Sequence, residues 1–326
     1  MNQFSYVRPA SMKAAVDAVA KDKSARFIAG GTNLLDLMKN GVMIPEKLVD
    51  INRLPLKDIR LNGNTLHIGA LALNSELAAH ELVTTHHPLL SQALLAGASQ
   101  QLRNMATVGG NMMQRTRCTY FYDTTMPCNK RSPDSGCGAI GGINRMHAIF
   151  GASDNCIAVH PSDMCVALAA LDATVLVTGP KGDRRIPFTD FHRLPGNTPE
   201  LDNNLAKGEL ITAVEIPANA YTKNVYYLKV RDRASYAFAL VSVAAALDIS
   251  NNVIRSARLA MGGVAHKPWR LYEAEKALAG KAPTEENFRQ AATIALQSAK
   301  TYPHNQFKKG LSVNSIQTAL LKAASV

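Results

Sequence analysis

No apolar run in the 326 residues approaches the ~18–20 that a membrane-crossing helix requires, which excludes a helical membrane span. The first twenty residues, MNQFSYVRPASMKAAVDAVA, lack a basic segment followed by an apolar stretch and a cleavage site, so the chain by itself is expected to stay in the cytoplasm. Aromatics are scarce at 6%, and Lys and Arg are scattered. The formal charge of +11 therefore has neither the basic helix nor the aromatic–basic sheet of a nucleic-acid reader. A basic surface of this kind suits acidic protein partners or cofactor phosphates. Internal repeats and low-complexity linkers are also missing.

Cysteine is nearly as scarce, with five in all, yet four of them, Cys118, Cys128, Cys137 and Cys156, fall in one stretch. They are separated by nine, eight and eighteen residues, without the paired two-residue gaps of zinc ribbons and knuckles. An odd total without a secretory signal also argues against a disulfide framework. Four soft thiolates converging on one point suit an iron–sulfur cluster. Zinc and unmodified or paired thiols remain the alternatives. The surrounding sequence, TRCTYFYDTTMPCNKRSPDSGCGAIGG, has little apolar periodicity, so it is expected to depend on a staple rather than on a core of its own. Cys165 opens the apolar run CVALAALDATVLV and reads as a buried core thiol.

The pattern along the chain is α+β. A helix over 11–20, a strand–turn–helix RFIAGGTNLLDLMKNG ended by Gly41 and a strand KLVDI form a small α/β lobe, residues 1–55. A larger lobe, 56–220, contains a hairpin around Asn62–Asn64, helical segments from about 75 to 98 and the cysteine insert at about 112–160. It then continues with a hairpin of TVLVTG and RRIP, the surface loop PGNTPELDNN and the strand GELITAVEIP. From 221 to 326 an antiparallel meander precedes helices at about 269–279, 285–301 and 312–324.

Two glycine turns carry binding chemistry. AGGTNLLDL places Gly30 and Gly31 between a strand and a helix N-terminus, where free amides and the helix dipole accept a pyrophosphate. ATVGGNMM offers a second close approach, with Thr107 and Asn111 as hydrogen-bonding groups. Each turn alone has a purely structural explanation. Together they suggest one extended dinucleotide between lobes. Lys229, on a strand, also reads as a solvated face residue, Ser162 or Asp163 as a helix N-cap, and His86 and His87 as structural.

Six ordered blocks, RFIAGGTNLLDLMKNG, IGALALNSEL, QLRNMATVGGN, HPSDMCVALAALDATV, ELITAVEIP and YLKVRDRASYAFALVSVAAAL, followed by GGVAHKPWR, carry a resemblance across nearly the whole chain. The chain closely resembles the FAD-binding subunits of the xanthine dehydrogenase and carbon monoxide dehydrogenase family. The insert is what most members lack. Its spacing looks like the 4Fe-4S flavoprotein subunits of bacterial periplasmic aldehyde oxidoreductases, rather than those of 4-hydroxybenzoyl-CoA reductases.

That resemblance implies a two-part FAD-binding domain followed by a C-terminal antiparallel sheet with helices. It assigns Cys118, Cys128, Cys137 and Cys156 to a 4Fe-4S cluster. It also assigns Phe27, Ile28, Ala29, Gly30, Gly31, Thr32, Asn33 and Leu34 to the diphosphate and ribityl chain, Thr107, Gly110 and Asn111 to the second turn, and Asp163, Ile211 and Lys229 to the isoalloxazine. The aromatic that covers the ring in animal members falls at Gly97, so Tyr120 or Tyr122 is expected to substitute. The implied role is an electron-transfer subunit. It would take electrons from the 2Fe-2S clusters of a small subunit, which a molybdenum subunit reduces by oxidising an aldehyde, and pass them to an external acceptor. The implied location is the periplasm, by co-export with a partner bearing a twin-arginine signal. The rival readings are the flavoprotein subunit of a related, cytoplasmic molybdenum hydroxylase or of a 4-hydroxybenzoyl-CoA reductase-like enzyme, a stand-alone flavin oxidase and a non-enzymatic metal-stapled module.

Overall fold

A computed structural model describes residues 1–325. The chain folds into three sheets in order of sequence, an α+β arrangement as expected. The first holds β1 (Ser5–Val7), β2 (Ala25–Ile28) and β3 (Lys47–Asp50), parallel, with β3 central. The second holds β4 (Ile59–Asn62), β5 (Thr65–Gly69), β6 (Thr174–Gly179), β7 (Gly182–Pro187) and β8 (Leu210–Ile216), antiparallel in the order β4-β5-β8-β6-β7. The third is the antiparallel sheet of β9 (Val225–Val230), β10 (Val241–Ser250), β11 (Val253–Gly262) and β12 (Trp269–Arg270).

Three differences from the sequence reading have simple causes. Residues 269–270 add a short edge strand to β11 before the helix Tyr272–Leu278 begins. The helix from Glu285 stops at Ala295, and the Lys300 amide donates instead to the Ile149 carbonyl of the cysteine insert, 2.9 Å away. β1 has no counterpart in the sequence reading, because three exposed residues carry no periodicity.

The helix Asp163–Ala170 is buried along its entire length and packs among the second sheet, the third sheet and the helix Pro88–Ala96, forming the spine of the largest core. A second core lies between the third sheet and the C-terminal helices, and it takes in Ile149 and Phe150 of the insert. The insert thus borrows its core from the rest of the chain. Phe121, Ala148, Ile149, Phe150 and Ile157 are all at most 2% exposed; Phe121 packs with Leu37 and Val42, Ile149 and Phe150 join the second core, and the Ala148 amide donates to the Ile157 carbonyl at 2.9 Å. The described residues contain no helix long and apolar enough to cross a membrane.

Candidate functional site

The first glycine turn joins β2 to the helix Leu34–Lys39, and residues 27–34 are all half-buried. Among the described residues, the backbone amides from Gly30 to Leu34 have no protein acceptor, and the side-chain amide nitrogen of Asn33 is buried without a partner. Such a run of unsatisfied donors is costly unless an anion or water meets it. With only six residues in the following helix, the turn amides rather than a long dipole supply the positive field. Gly31 has φ +71°, which favours glycine. Gly30 serves packing: a Cβ there would lie 1.8 Å from the Met105 carbonyl oxygen, at the approach to the second turn.

In the second turn, Thr107 caps the short helix Val108–Met112, and its Oγ1 accepts from the Gly110 amide at 3.2 Å. Gly110 itself is exposed, and a Cβ there would meet only Thr107 Oγ1. Asn111 Oδ1 accepts from Ser162 Oγ at 2.5 Å, and Asn33 Oδ1 accepts from the Arg115 amide at 3.1 Å. The two turns and the start of the spine helix are thus held in one constellation.

Asp163 and Lys229 meet directly. Lys229 Nζ donates to Asp163 Oδ2 at 2.7 Å and to the Ala96 carbonyl at 3.1 Å, while Tyr227 Oη donates to Asp163 Oδ1 at 2.8 Å. Both charged side chains are under 10% exposed, so Lys229 is not a solvated face residue. The cap of the spine helix is Ser162, whose Oγ accepts from the Cys165 amide, and Asp163 occupies the first helical position. A Cβ at Gly97 would stand 3.5 Å from Asp163 Oδ2, so an aromatic side chain at that position would start beside this carboxylate. Ile211 lies in the largest core and lines none of this pocket.

Beside Asp163 opens a pocket of about 430 Å3, walled by Arg117, Tyr120, His160, Pro161, Phe238 and Gly263 among others. Tyr120 lines it and is pinned by the Ile143 amide, which donates to its Oη at 2.7 Å. Tyr122 does not line it. Its hydroxyl instead donates to Asp36 at 2.8 Å, next to the Arg117–Asp36 ion pair. Phe238, 43% exposed with the Arg117 guanidinium stacked over it, is a second aromatic wall. Phe238 and Arg117 escaped the sequence reading because, although both lie within quoted stretches, nothing in their spacing marks them as facing this pocket.

The four clustered cysteines line one adjoining cavity, and none forms a disulfide. Thr116, Cys118 and Tyr120 line both this cavity and the larger pocket. Burial pushes the Cys118 thiol up to about 12 and the Cys156 thiol up to about 11, so buried thiolates here need a strong positive partner. Among the described residues, no three of the four sulfurs gather within 4.8 Å. A single zinc with ~2.3 Å bonds would need sulfurs roughly 3.8 Å apart. The donor set therefore suits a larger, multi-metal group. The trio that does gather so tightly is His160, Cys165 and His192, with His160 Nε2 and His192 Nδ1 unpartnered inside the core. Cys165 packs in the largest core, as expected.

The insert is anchored on every side. Arg115 and Lys130 pair with Asp202 at 2.6 and 2.5 Å. Burial raises that carboxyl, but the two cations prevail and hold it at about 2. Asp202 comes from the polar loop 195–204, which is thus more than a surface turn. Lys308, on the long C-terminal helix, donates to the carbonyls of His147 and Gly263 at 3.0 and 2.8 Å.

Residues 2–219 match the family model of the FAD binding domain in molybdopterin dehydrogenase, and residues 226–323 match that of the CO dehydrogenase flavoprotein C-terminal domain. The chain is 48% identical over 326 residues, covering 99% of both chains, to the aldehyde oxidoreductase FAD-binding subunit PaoB of Escherichia coli. It is 32% identical to the glyceraldehyde dehydrogenase medium chain of Sulfolobus acidocaldarius, over 86% of this chain and 82% of that one. The carbon monoxide dehydrogenase of Hydrogenophaga pseudoflava superposes with a TM-score of 0.78 at 26% identity, over 99% of this chain and 98% of that one.

Proposed function

Since the chain belongs to the family of FAD-binding subunits of molybdopterin dehydrogenases, with a CO dehydrogenase-type flavoprotein C-terminal domain, we propose that it is the FAD- and 4Fe-4S-carrying electron-transfer subunit of a molybdenum-dependent aldehyde oxidoreductase. The observation that carries the reading is the shared wall. Thr116, Cys118 and Tyr120 face both the pocket beside Asp163 and the cavity of four thiols.

In this reading the amides of Gly30–Leu34 and the Asn33 side chain hold the diphosphate, assisted by the second turn at Gly110 and Asn111. Tyr120 and Phe238 would wall an isoalloxazine in the pocket, and Asp163, held by Lys229, would offer it a polar contact. Cys118, Cys128, Cys137 and Cys156 fit a 4Fe-4S cluster as thiolate ligands around one cavity, Cys128 and Cys156 buried and Cys118 and Cys137 half-buried. Flavin exchanges electrons singly or in pairs and the cluster singly, a combination suited to relaying electrons from a 2Fe-2S small subunit to an external acceptor. Because its relatives are a FAD-binding subunit and a medium chain, aldehyde oxidation is assigned here to a molybdenum-bearing large subunit. This disfavours the stand-alone oxidase.

Purified chain is expected to show flavin bands over a broad iron–sulfur absorbance, with FAD, iron and acid-labile sulfide all present. A colourless folded protein would instead favour a metal-stapled binding module. We further propose that the chain reaches the periplasm folded and loaded, with a partner that bears a twin-arginine signal. Cell fractionation checks this: chain that is periplasmic without the partner, or cytoplasmic with all partners present, overturns co-export.

A further inference from the structure

Two imidazoles approach the thiol cavity from outside it. His147 Nε2 lies 3.1 Å from Cys118 Sγ, and His266 Nε2 lies 3.2 Å from Cys156 Sγ. Both rings are buried, at 4% and 7% exposure, and both Nδ1 atoms have no partner. They are fixed from different elements. The carbonyl of His147 accepts from Lys308 and from Asn305, at 3.0 and 3.3 Å. His266 lies past the end of β11, in a segment whose Val264 carbonyl accepts from the Ile149 and Phe150 amides and whose Ala265 carbonyl accepts from the His160 amide. Among the described residues, the sulfurs of Cys128 and Cys137 receive no side-chain donor.

A metal-bound thiolate carries no proton and can only accept, so an imidazole 3.1–3.2 Å away must present its N–H to the sulfur. Such a bond withdraws charge from the ligand. It therefore favours the reduced cluster, which holds the extra electron, over the oxidised one. We propose that His147 and His266 are N–H···S donors to Cys118 and Cys156 that raise the reduction potential of the cluster, acting through the ligands rather than as ligands. The proposal rests on the 4Fe-4S reading above. Its placement is asymmetric: the tuned Cys118 is the ligand that also walls the pocket beside Asp163, and His147 lines that pocket with it.

The test uses the full chain with His147→Leu, His147→Gln, His266→Leu and His266→Gln, read by iron and sulfide content and by EPR-monitored redox titration. Glutamine keeps an amide N–H at comparable reach, whereas leucine has none. Each leucine variant is expected to retain iron while its reduced-to-oxidised ratio at a fixed potential falls about tenfold, equivalent to about 59 mV for a one-electron couple. Each glutamine variant is expected to stay close to the parent. Leucine variants with iron and an unmoved potential overturn the proposal, as do glutamine variants that shift as far as leucine. Should a leucine variant lose its iron, the unmodified chain labelled with 15N-histidine decides. Pulsed EPR of the reduced cluster is expected to show coupling to histidine nitrogen, and its absence overturns the proposal. Unmodified chain without iron or labile sulfide defeats the cluster reading and this inference together. Iron without histidine coupling defeats the inference alone.

Discussion

At the scale of single residues, the Asp163–Lys229 pair has the sharpest energetic consequence. Both groups are buried, so removing the cation leaves a carboxylate compensated only by Tyr227. Breaking a buried pair from one side typically costs about 3–5 kcal/mol. Lys229→Met is therefore expected to lower unfolding stability by that order. Adding Asp163→Asn should recover part of the loss, as read by a double-mutant cycle in urea, whereas strictly additive losses would mean the two side chains do not act as a pair. Lys308 makes a second expectation, in pH. Burial lowers its pKa from 10.5 to about 7, with Arg145 adding to the effect. Between those values the unfolded chain binds the extra proton, so stability rises with pH from about 7 to about 10.5, and below that window the folded chain bears the full cost of a buried ammonium. Lys308→Met should flatten that rise in urea titrations, and a variant that keeps the parent's slope would assign the dependence to other groups. Neither role was legible in the sequence. Asp163 and Lys229 stand 66 residues apart, and a lone Lys on a strand or helix has no spacing signal that separates a buried partner from a solvated one. His147 and His266 were equally silent, because their neighbours Cys118 and Cys156 are distant along the chain.

At the scale of elements, the two glycine turns were legible because tight strand-to-helix turns demand glycine, but their glycines do different things. The sequence reading treats Gly30 as a point of cofactor approach, and on that basis Gly30→Val is expected to fold while losing flavin. The structure alters the expectation, since a Cβ at Gly30 collides with the Met105 carbonyl at 1.8 Å, and backbone cannot yield as a side chain does. Gly30→Val is now expected to lower thermal stability by pushing the turns apart, with flavin lost as a consequence. Gly110→Val is the cleaner probe. Only Thr107 Oγ1, 3.0 Å away, stands near the added carbon, so the variant should keep its far-UV spectrum and melting temperature to within a few degrees while its FAD content falls. Full FAD content in a folded Gly110→Val chain would remove the second turn from the cofactor site. The cysteine positions divide in the same manner. Serine at 118, 128, 137 or 156 should abolish or deplete iron, whereas Cys165→Ser should retain it, because Cys165 packs in the largest core outside the thiol cavity.

Across the whole molecule, the insert is where the sequence misled and where the structure is most informative. TRCTYFYDTTMPCNKRSPDSGCGAIGG has little apolar periodicity, so from sequence it is expected to lack a core of its own and to disorder when its staple is lost. Within that stretch Phe121 is buried beside Leu37 and Val42 of the first lobe, and further along the insert Ile149 and Phe150 are buried against the third sheet and C-terminal helices. Polar anchors match them, with Arg115 and Lys130 on Asp202 and with Lys308 and Asn305 on the 147–148 carbonyls. A segment held at both ends by three lobes opens locally when its centre is weakened, rather than unfolding the domain around it. Removing iron with a chelator under reducing conditions is therefore expected to accelerate amide exchange between Cys118 and Cys137, where the backbone is held by turns and the paired Cys128 and Cys137. The Ile149 and Phe150 amides, donating to Val264, and the strands of the five-stranded sheet should stay protected. Exchange that rises across β5, β6 and β8 as well would mean that the metal holds the lobes together, and the anchors described here would then be too weak to do so alone.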